Sequence, residues 1–324
     1  MSIPLRQKLA VGAYIASKRL QGVDKYPLVL QLEPLYLCNL ACAGCGKIQH
    51  SDDILARRLS VEQCVVAVEE CGAPIVSIAG GEPLIHREIH EIARELVERK
   101  KFVYLCTNAI MMERKLDLFE PSPYFAWSVH IDGLRERHDE SVCRSGIFDK
   151  AVAAVREAQR RGFRVTTNST FFGQDDAVSI RAVLDYLNDE LEVDTMQIAP
   201  GFAYEKAPDQ EHFLGVQRTR EIFREAFKGG RRSKWRLNHS PLYLDFLEGK
   251  ADFMCTAWAY RHTRCWAGSD HAISCRTSPM PAVTRSSSSR RIGANTDEAV
   301  TPSARTAWRT AVMSRARCKR RLIR

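Results

Sequence analysis

Between residues 28 and 200 two kinds of apolar pattern alternate along the chain. Short continuous runs at 28–33 (LVLQLE), 75–79 (IVSIA), 102–106 (FVYLC), 125–131 (FAWSVHI), 163–170 (FRVTTNST) and 195–199 (TMQIA) have the length and residue types of buried strands. Between them apolar residues recur at helical spacing: Ile89, Ile92, Ala93, Leu96 and Val97, then Val152 and Val155, then Ile180, Val183, Leu184 and Leu187. Ser60 followed three residues later by Gln63 predicts a capping box, and Gly72 predicts the left-handed stop of the same helix. Strands that alternate with helices predict an α/β fold with a parallel sheet and its chemistry at the strand C-termini. A partial (β/α)6 barrel is expected; a doubly wound open sheet has the same periodicity.

The pattern changes at both ends. A helix over residues 4–20 carries Leu5, Leu9, Ala13, Ala16 and Leu20 on one side and Arg6, Lys8, Lys18 and Arg19 elsewhere. Such a helix either packs against the body or rests peripherally on anionic lipid. From Ala259 onward periodicity is lost in a stretch with one leucine, no phenylalanine and a Ser286–Ser289 run. The expected organisation is therefore an amphipathic helix over 1–26, a core barrel over 27–200, a helical cap over 201–258 and an irregular basic tail over 259–324. A one-base displacement of the reading frame near residues 258–264 is a second account of the tail. In the other frame Ala267–Ser274 can read G-W-Q-R-P-C-Y-L, and Cys265, Cys275 and Cys318 would then have no role.

Composition and charge narrow the function classes. With 324 residues and 45% hydrophobic content the chain can bury a core, which excludes disorder throughout. The net charge of +9 hints at nucleic acid until it is located. Residues 259–324 hold 13 Arg and one Lys against three acidic residues, so the body is near neutral and no nucleic-acid partner is expected. There is no apolar run of the roughly 18–20 residues needed to cross a bilayer. Eleven cysteines without an export signal predict reduced thiols in the cytoplasm, hence metal or redox chemistry.

Three of those cysteines stand together, as Cys38-x3-Cys42-x2-Cys45 directly after the first strand. Zinc or a four-iron cluster takes four ligands, so three close thiolates leave either one distant partner or an open position for substrate. Because no second close pair of cysteines is near, a [4Fe–4S] cluster with one open iron fits better than a structural zinc. After the second strand comes Gly80-Gly81-Glu82-Pro83. Its glycines permit a close backbone approach, Glu82 offers a carboxylate to an ammonium group, and Pro83 stiffens the exit.

Together these two segments resemble the radical S-adenosylmethionine superfamily. The resemblance implies that Cys38, Cys42 and Cys45 bind a [4Fe–4S] cluster whose fourth iron chelates S-adenosylmethionine, a consumed co-substrate. It further implies that Gly80, Gly81, Glu82 and Pro83 touch the methionine amine, that Ser128, His130 and Asn168 lie near the adenosyl moiety, and that an electron donor such as flavodoxin or ferredoxin is needed. Pro4–Lys8, Lys25–Val29, Cys42–His50 and Asp132–Asp139 are more closely similar to the hopanoid-biosynthesis radical SAM proteins, the adenosylhopane synthases. That likeness implies a triterpenoid lipid substrate: the 5′-deoxyadenosyl radical adds to the terminal alkene of hopene (diploptene) and gives adenosylhopane. The tertiary radical left by such an addition needs a hydrogen atom. Cys106, at the end of the third strand, is the expected catalytic donor, with a buried packing thiol as the alternative. Cys64 and Cys71 read as packing residues, and His138 and Asp139 as either a surface pair or part of the site. The rivals are another radical SAM reaction, such as peptide modification, and a non-catalytic iron–sulfur or zinc-binding module.

Overall fold

The computed structural model describes residues 3–203, 207, 210–253 and 259–265. Seven parallel strands form one sheet: β1 (Val29–Glu33), β2 (Ile75–Ile78), β3 (Phe102–Thr107), β4 (Phe125–His130), β5 (Val165–Phe171), β6 (Thr195–Pro200) and β7 (Tyr260–Arg264). Their order is β6-β5-β4-β3-β2-β1-β7. The helices are α1 (Leu5–Leu20), α2 (Asp52–Ala56), α3 (Val61–Cys71), α4 (Ile89–Glu98), α5 (Met112–Lys115), α6 (Arg135–Ser141), α7 (Ile147–Arg160), α8 (Ala177–Asp185), α9 (Val216–Ala226) and α10 (Pro241–Leu247).

Sheet order decides between the two architectures that periodicity left open. A doubly wound sheet reverses direction and puts helices on both faces, whereas β1 to β6 follow one another without reversal. One continuous core accordingly joins Leu30, Leu32, Val76, Ile78, Val103, Leu105, Trp127 and Val129 from the strands to Val68, Ile92, Leu96, Val155 and Leu184 from the helices. Alternation sends the intervening residues to the opposite, inner face: Gln31, Ser77, Cys106, Ser128, Thr166 and Asn168. A sheet with its crossover helices packed on the outer face, and with small or polar residues on the inner face near the strand C-termini, is a partial barrel.

Local signals account for most of the elements. The Ser60–Gln63 capping box forms with both bonds present, and Gly72 ends α3 at φ +68°. All six predicted strands exist, and the helical stripe Ile89, Ile92, Ala93 and Leu96 is fully buried. One expectation needs correction. The folded body, expected as a barrel over 27–200 with a helical cap to 258, continues past residue 258, because β7 pairs in parallel with β1 from Val29↔Tyr260 to Glu33↔Arg264. Arg264 supplies an ion-pair partner for the buried Glu33, and Cys265 donates its N–H to the Glu33 carbonyl. The remainder of the expected tail, 266–324, lies outside the described residues. The expected N-terminal helix forms as α1, which meets the body through Gln7, Val11, Tyr14 and Ile15 and leaves Leu5, Leu9 and Leu20 outward.

Candidate active site

The site is built where β1, β2, β3 and β4 end. After β1 the chain turns through Pro34–Leu37 into the cysteine loop, and β2 delivers Gly80-Gly81 against that turn. Gly81 N–H donates to the Leu35 carbonyl at 3.0 Å and Glu82 N–H to the Leu37 carbonyl at 2.9 Å. A Cβ on Gly80 would overlap the Leu35 carbonyl, and one on Gly81 those of Tyr36 and Leu37. The glycines therefore allow one backbone to lie on another and fix the height of Cys38. Pro83 starts a single 3-10 turn, Pro83–Ile85.

Glu82 is 1% exposed, and its carboxylate is engaged within the protein. It accepts hydrogen bonds from Leu84 N–H at 3.0 Å, from the Thr107 hydroxyl at 2.8 Å and from Asn108 N–H at 2.8 Å. Burial pushes this carboxyl up, against the three donors that favour its charged form. The observed work of the Glu82 side chain is thus to tie the β2 exit to the β3 exit. Asn108 extends the tie to the cysteine loop: its amide donates to Asn39 Oδ1 at 2.7 Å and lies 3.9 Å from Cys38 Sγ. Just beyond, Ala109 holds φ +64°, a strained conformation for a residue with a Cβ, and its N–H caps back onto the Thr107 hydroxyl.

All three loop cysteines are half-buried free thiols. Burial pushes Cys38 up to about 12, Cys42 well above the ordinary thiol value, and Cys45 upward despite the nearby Lys47. Cys38 and Cys45 each add to the upward push on Cys42. Three thiols so disfavoured as anions need a cationic centre to become ligands. Among the described residues no set of three or more His, Cys, Asp or Glu side chains converges tightly enough to hold a single metal ion. In a [4Fe–4S] cluster each thiolate takes its own iron, so three thiols need not converge on one point. Leu40, Val142 and Ile147 form the apolar wall behind Cys38 and Cys42.

The other expected residues come together on the inner face. Cys106 stands opposite Ser128 in register, with Ser77 Oγ 3.6 Å from its Sγ, and burial pushes its thiol up. Ser128 Oγ is buried beside the same thiol. One layer nearer the mouth, His130 is in register with Asn168, and its Nε2 lies 2.7 Å from Asp132 Oδ2. Burial alone would lower His130, but Asp132 raises it, and the Asp132 carboxyl is held low in return. His138 is also buried: its Nδ1 accepts the Asp132 N–H, while Nε2 finds no acceptor. Asp139 caps the N-terminus of α7 through Gly146, Ile147 and Phe148 N–H. His138 therefore supports the site from behind, and Asp139 is a structural cap.

Several contributors escaped the sequence reading. Glu33 is fully buried at the end of β1, paired with Lys47 of the cysteine loop and 3.4 Å from Arg264 Nε, and receives the Gln31 amide at 2.6 Å. Lys47 lies in the irregular cysteine loop and Asp132 just past β4, where no strand alternation announces them. At the mouth, the Phe172 ring fits between two glycines, since a Cβ at Gly44 or Gly201 would come within 2.8 or 2.7 Å of it. Phe213 packs against Phe172 at 5.8 Å between ring centroids, and Phe202 is 48% exposed nearby in sequence.

Known proteins share this arrangement. The Radical SAM superfamily profile matches residues 32–187, and that of a domain of unknown function (DUF3463) matches 196–269, across β6, the cap helices and β7. Fe-coproporphyrin III synthase of Methanosarcina barkeri is 27% identical over 172 residues, 52% of this chain and 42% of that protein. GTP 3′,8-cyclase of Clostridium perfringens is 23% identical over 230 residues, 67% of this chain and 69% of that one. The chain thus spans less than half of the first relative and about two thirds of the second. Streptococcus suis SuiB, solved bound to S-adenosylmethionine, shares the fold with a TM-score of 0.63 at 16% identity, covering 78% of this chain and 61% of SuiB. The superfamily uses a [4Fe–4S] cluster and S-adenosylmethionine, and the three-cysteine loop on its GGEP floor fits that pair. Residues 32–187, a little under half of the chain, thus match the radical SAM superfamily and form a radical SAM domain.

Proposed function

We propose that this protein is an adenosylhopane synthase, adding a 5′-deoxyadenosyl group to the terminal alkene of hopene (diploptene). Cys38, Cys42 and Cys45 would hold the cluster, which with S-adenosylmethionine and one electron from a carrier such as flavodoxin or ferredoxin would supply a 5′-deoxyadenosyl radical. Gly80, Gly81, Glu82 and Pro83 form the floor at the methionine amine, and Ser128, His130 and Asn168 line the adenosyl side. Addition at the terminal CH₂ forms one C–C bond from the alkene π bond and leaves a tertiary carbon radical. Cys106 gives that carbon its thiol hydrogen atom; the resulting thiyl is restored by one further electron from the same carrier and a proton from solvent.

The observation that carries the reading is the pairing of two features in one barrel. A thiol faces the inner side beside Ser77 and Ser128, and phenylalanines 172 and 213 with exposed Phe202 follow β5 and β6 on the same rim. An aromatic mouth suits contact with an apolar molecule. The four segments resembling the hopanoid-biosynthesis proteins supply the choice of lipid. The test is anaerobic incubation of the reconstituted protein with diploptene, S-adenosylmethionine and reductant, followed by mass analysis of the lipid. A product heavier by one 5′-deoxyadenosyl group and one hydrogen supports the reading. Cleavage of S-adenosylmethionine with unaltered diploptene would assign the site to another radical SAM reaction, such as peptide modification.

A further inference from the structure

α1 is the least explained element of the fold. It lies across the barrel end opposite the cysteine loop: Tyr104 of β3 donates to Gln7 at 2.9 Å, Arg6 stacks over Tyr124, and Tyr14 donates to the Pro27 carbonyl at 3.0 Å. Those contacts use the face of Gln7, Val11, Tyr14 and Ile15. By the 3.6-residue period, Leu5, Leu9, Ala13, Ala16 and Leu20 occupy the opposite side. They are exposed, the three leucines at 70%, 64% and 89%. Arg6 borders this apolar strip on one margin and Lys8 and Arg19 on the other, and the helix contains no acidic residue.

We infer that α1 docks the protein onto the surface of an anionic phospholipid bilayer, with Leu5, Leu9 and Leu20 entering the headgroup–acyl boundary and Arg6, Lys8 and Arg19 meeting lipid phosphates. The helix is seated on the body by one face, so it presents the apolar strip without having to fold on arrival. A band of leucines margined by cations is the pattern of an in-plane interfacial helix. A second copy of the chain fits less well, because pairing two such faces would bring their cations together. The chain's own Arg-rich residues after 275 share the helix's sign and cannot complement it. Among the described residues no helix is long and apolar enough to cross a membrane, so the contact is with the surface. This inference does not depend on the identity of the substrate.

The test is co-sedimentation of the full-length reconstituted protein with vesicles of phosphatidylcholine alone or mixed with phosphatidylglycerol. Wild type should bind the mixed vesicles, less so at high salt, and the pure phosphatidylcholine vesicles about tenfold or more weakly. The variant L5Q/L9Q/L20Q should lose binding about tenfold or more, and K8Q/R19Q should lose the preference for phosphatidylglycerol. Both should keep the wild-type melting temperature and the basal rate of S-adenosylmethionine cleavage, since none of these side chains is buried. Failure of wild type to bind either vesicle, or equal binding by the triple leucine variant, would overturn the inference. So would a lipid-free dimer that the triple variant dissolves, which would give the face to a second copy.

Discussion

At the residue scale, two buried groups make separable predictions. Cys106→Ala leaves the cysteine loop, the GGEP floor and the Glu82–Thr107–Asn108 tie intact, so S-adenosylmethionine cleavage should continue. With its hydrogen donor gone, the tertiary radical should divert to an unsaturated adenosyl-lipid or depend on added thiol, which a shift of product mass would reveal. The cavity costs roughly 1 kcal/mol, too little to stop turnover. Saturated product at the wild-type rate without added thiol would make Cys106 a packing residue. His138 bears on stability instead. Its burial and the neighbouring His130 hold it down to about 4, against 6.5 for the free group. Between those values the unfolded chain binds a proton that the folded chain refuses, so stability is complete above pH 6.5 and falls as pH drops towards 4. The loss attributable to His138 is on the order of 3 kcal/mol. His138→Asn should flatten this part of the melting-temperature profile while lowering its plateau near pH 7, because Asn reproduces the Asp132 N–H bond less well. A profile as steep as that of wild type would remove His138 as its source.

At the element scale, the close contact between the β2 exit and the cysteine-loop turn holds the site together. Gly81→Ala must push a methyl into two carbonyl oxygens of Tyr36 and Leu37. The backbone cannot yield as a side chain would, so a cost of about 3 kcal/mol and displacement of Cys38 are expected. The variant should fold with a lowered melting temperature and reconstitute with fewer irons per chain; full reconstitution would separate the glycine from cluster geometry. This contact was only half legible in the sequence. The glycines announced a close approach, but Gly-Gly says nothing about what approaches, and the neighbour proved to be the turn Leu35–Leu37, far upstream in the chain. Glu82 was legible as a carboxylate in the site, yet two of its three donors, Thr107 and Asn108, come from the β3 exit, and long-range pairing leaves no local trace. By contrast the strands, the Ser60 cap and the Gly72 stop depend on neighbours within a few residues, and each could be read directly. Barrel against open sheet could not be read, because handedness and strand order are properties of crossovers and not of any one segment.

At the scale of the whole molecule, the question is where the fold ends. Loss of periodicity after residue 258 marks a boundary in the sequence, yet five residues beyond it complete the sheet. A strand on the sheet edge needs only backbone pairing, so its composition can be unlike that of the buried strands. β7 covers the open edge of β1, the strand that leads into the cysteine loop: Leu28 N–H donates to the Ala259 carbonyl at 2.8 Å and Cys265 N–H to the Glu33 carbonyl at 3.0 Å. It also brings Arg264 to Glu33, which is wholly buried and held below the usual carboxylate range, against the upward push of burial, chiefly by Lys47. Two truncations distinguish the boundaries. Ending the chain after Cys265 removes none of these contacts and should leave thermal stability within about a degree of that of the full chain. Ending it after Trp258 exposes the β1 edge and leaves Glu33 with Lys47 as its cation. Partial loss of a buried ion-pair network costs about 3 kcal/mol, and for a body of this size the melting temperature should fall by roughly 5–10 °C. Because β1 sets the start of the cysteine loop, the shorter chain should also lose iron on reconstitution; equal stability and iron content in the two truncations would return the boundary to residue 258.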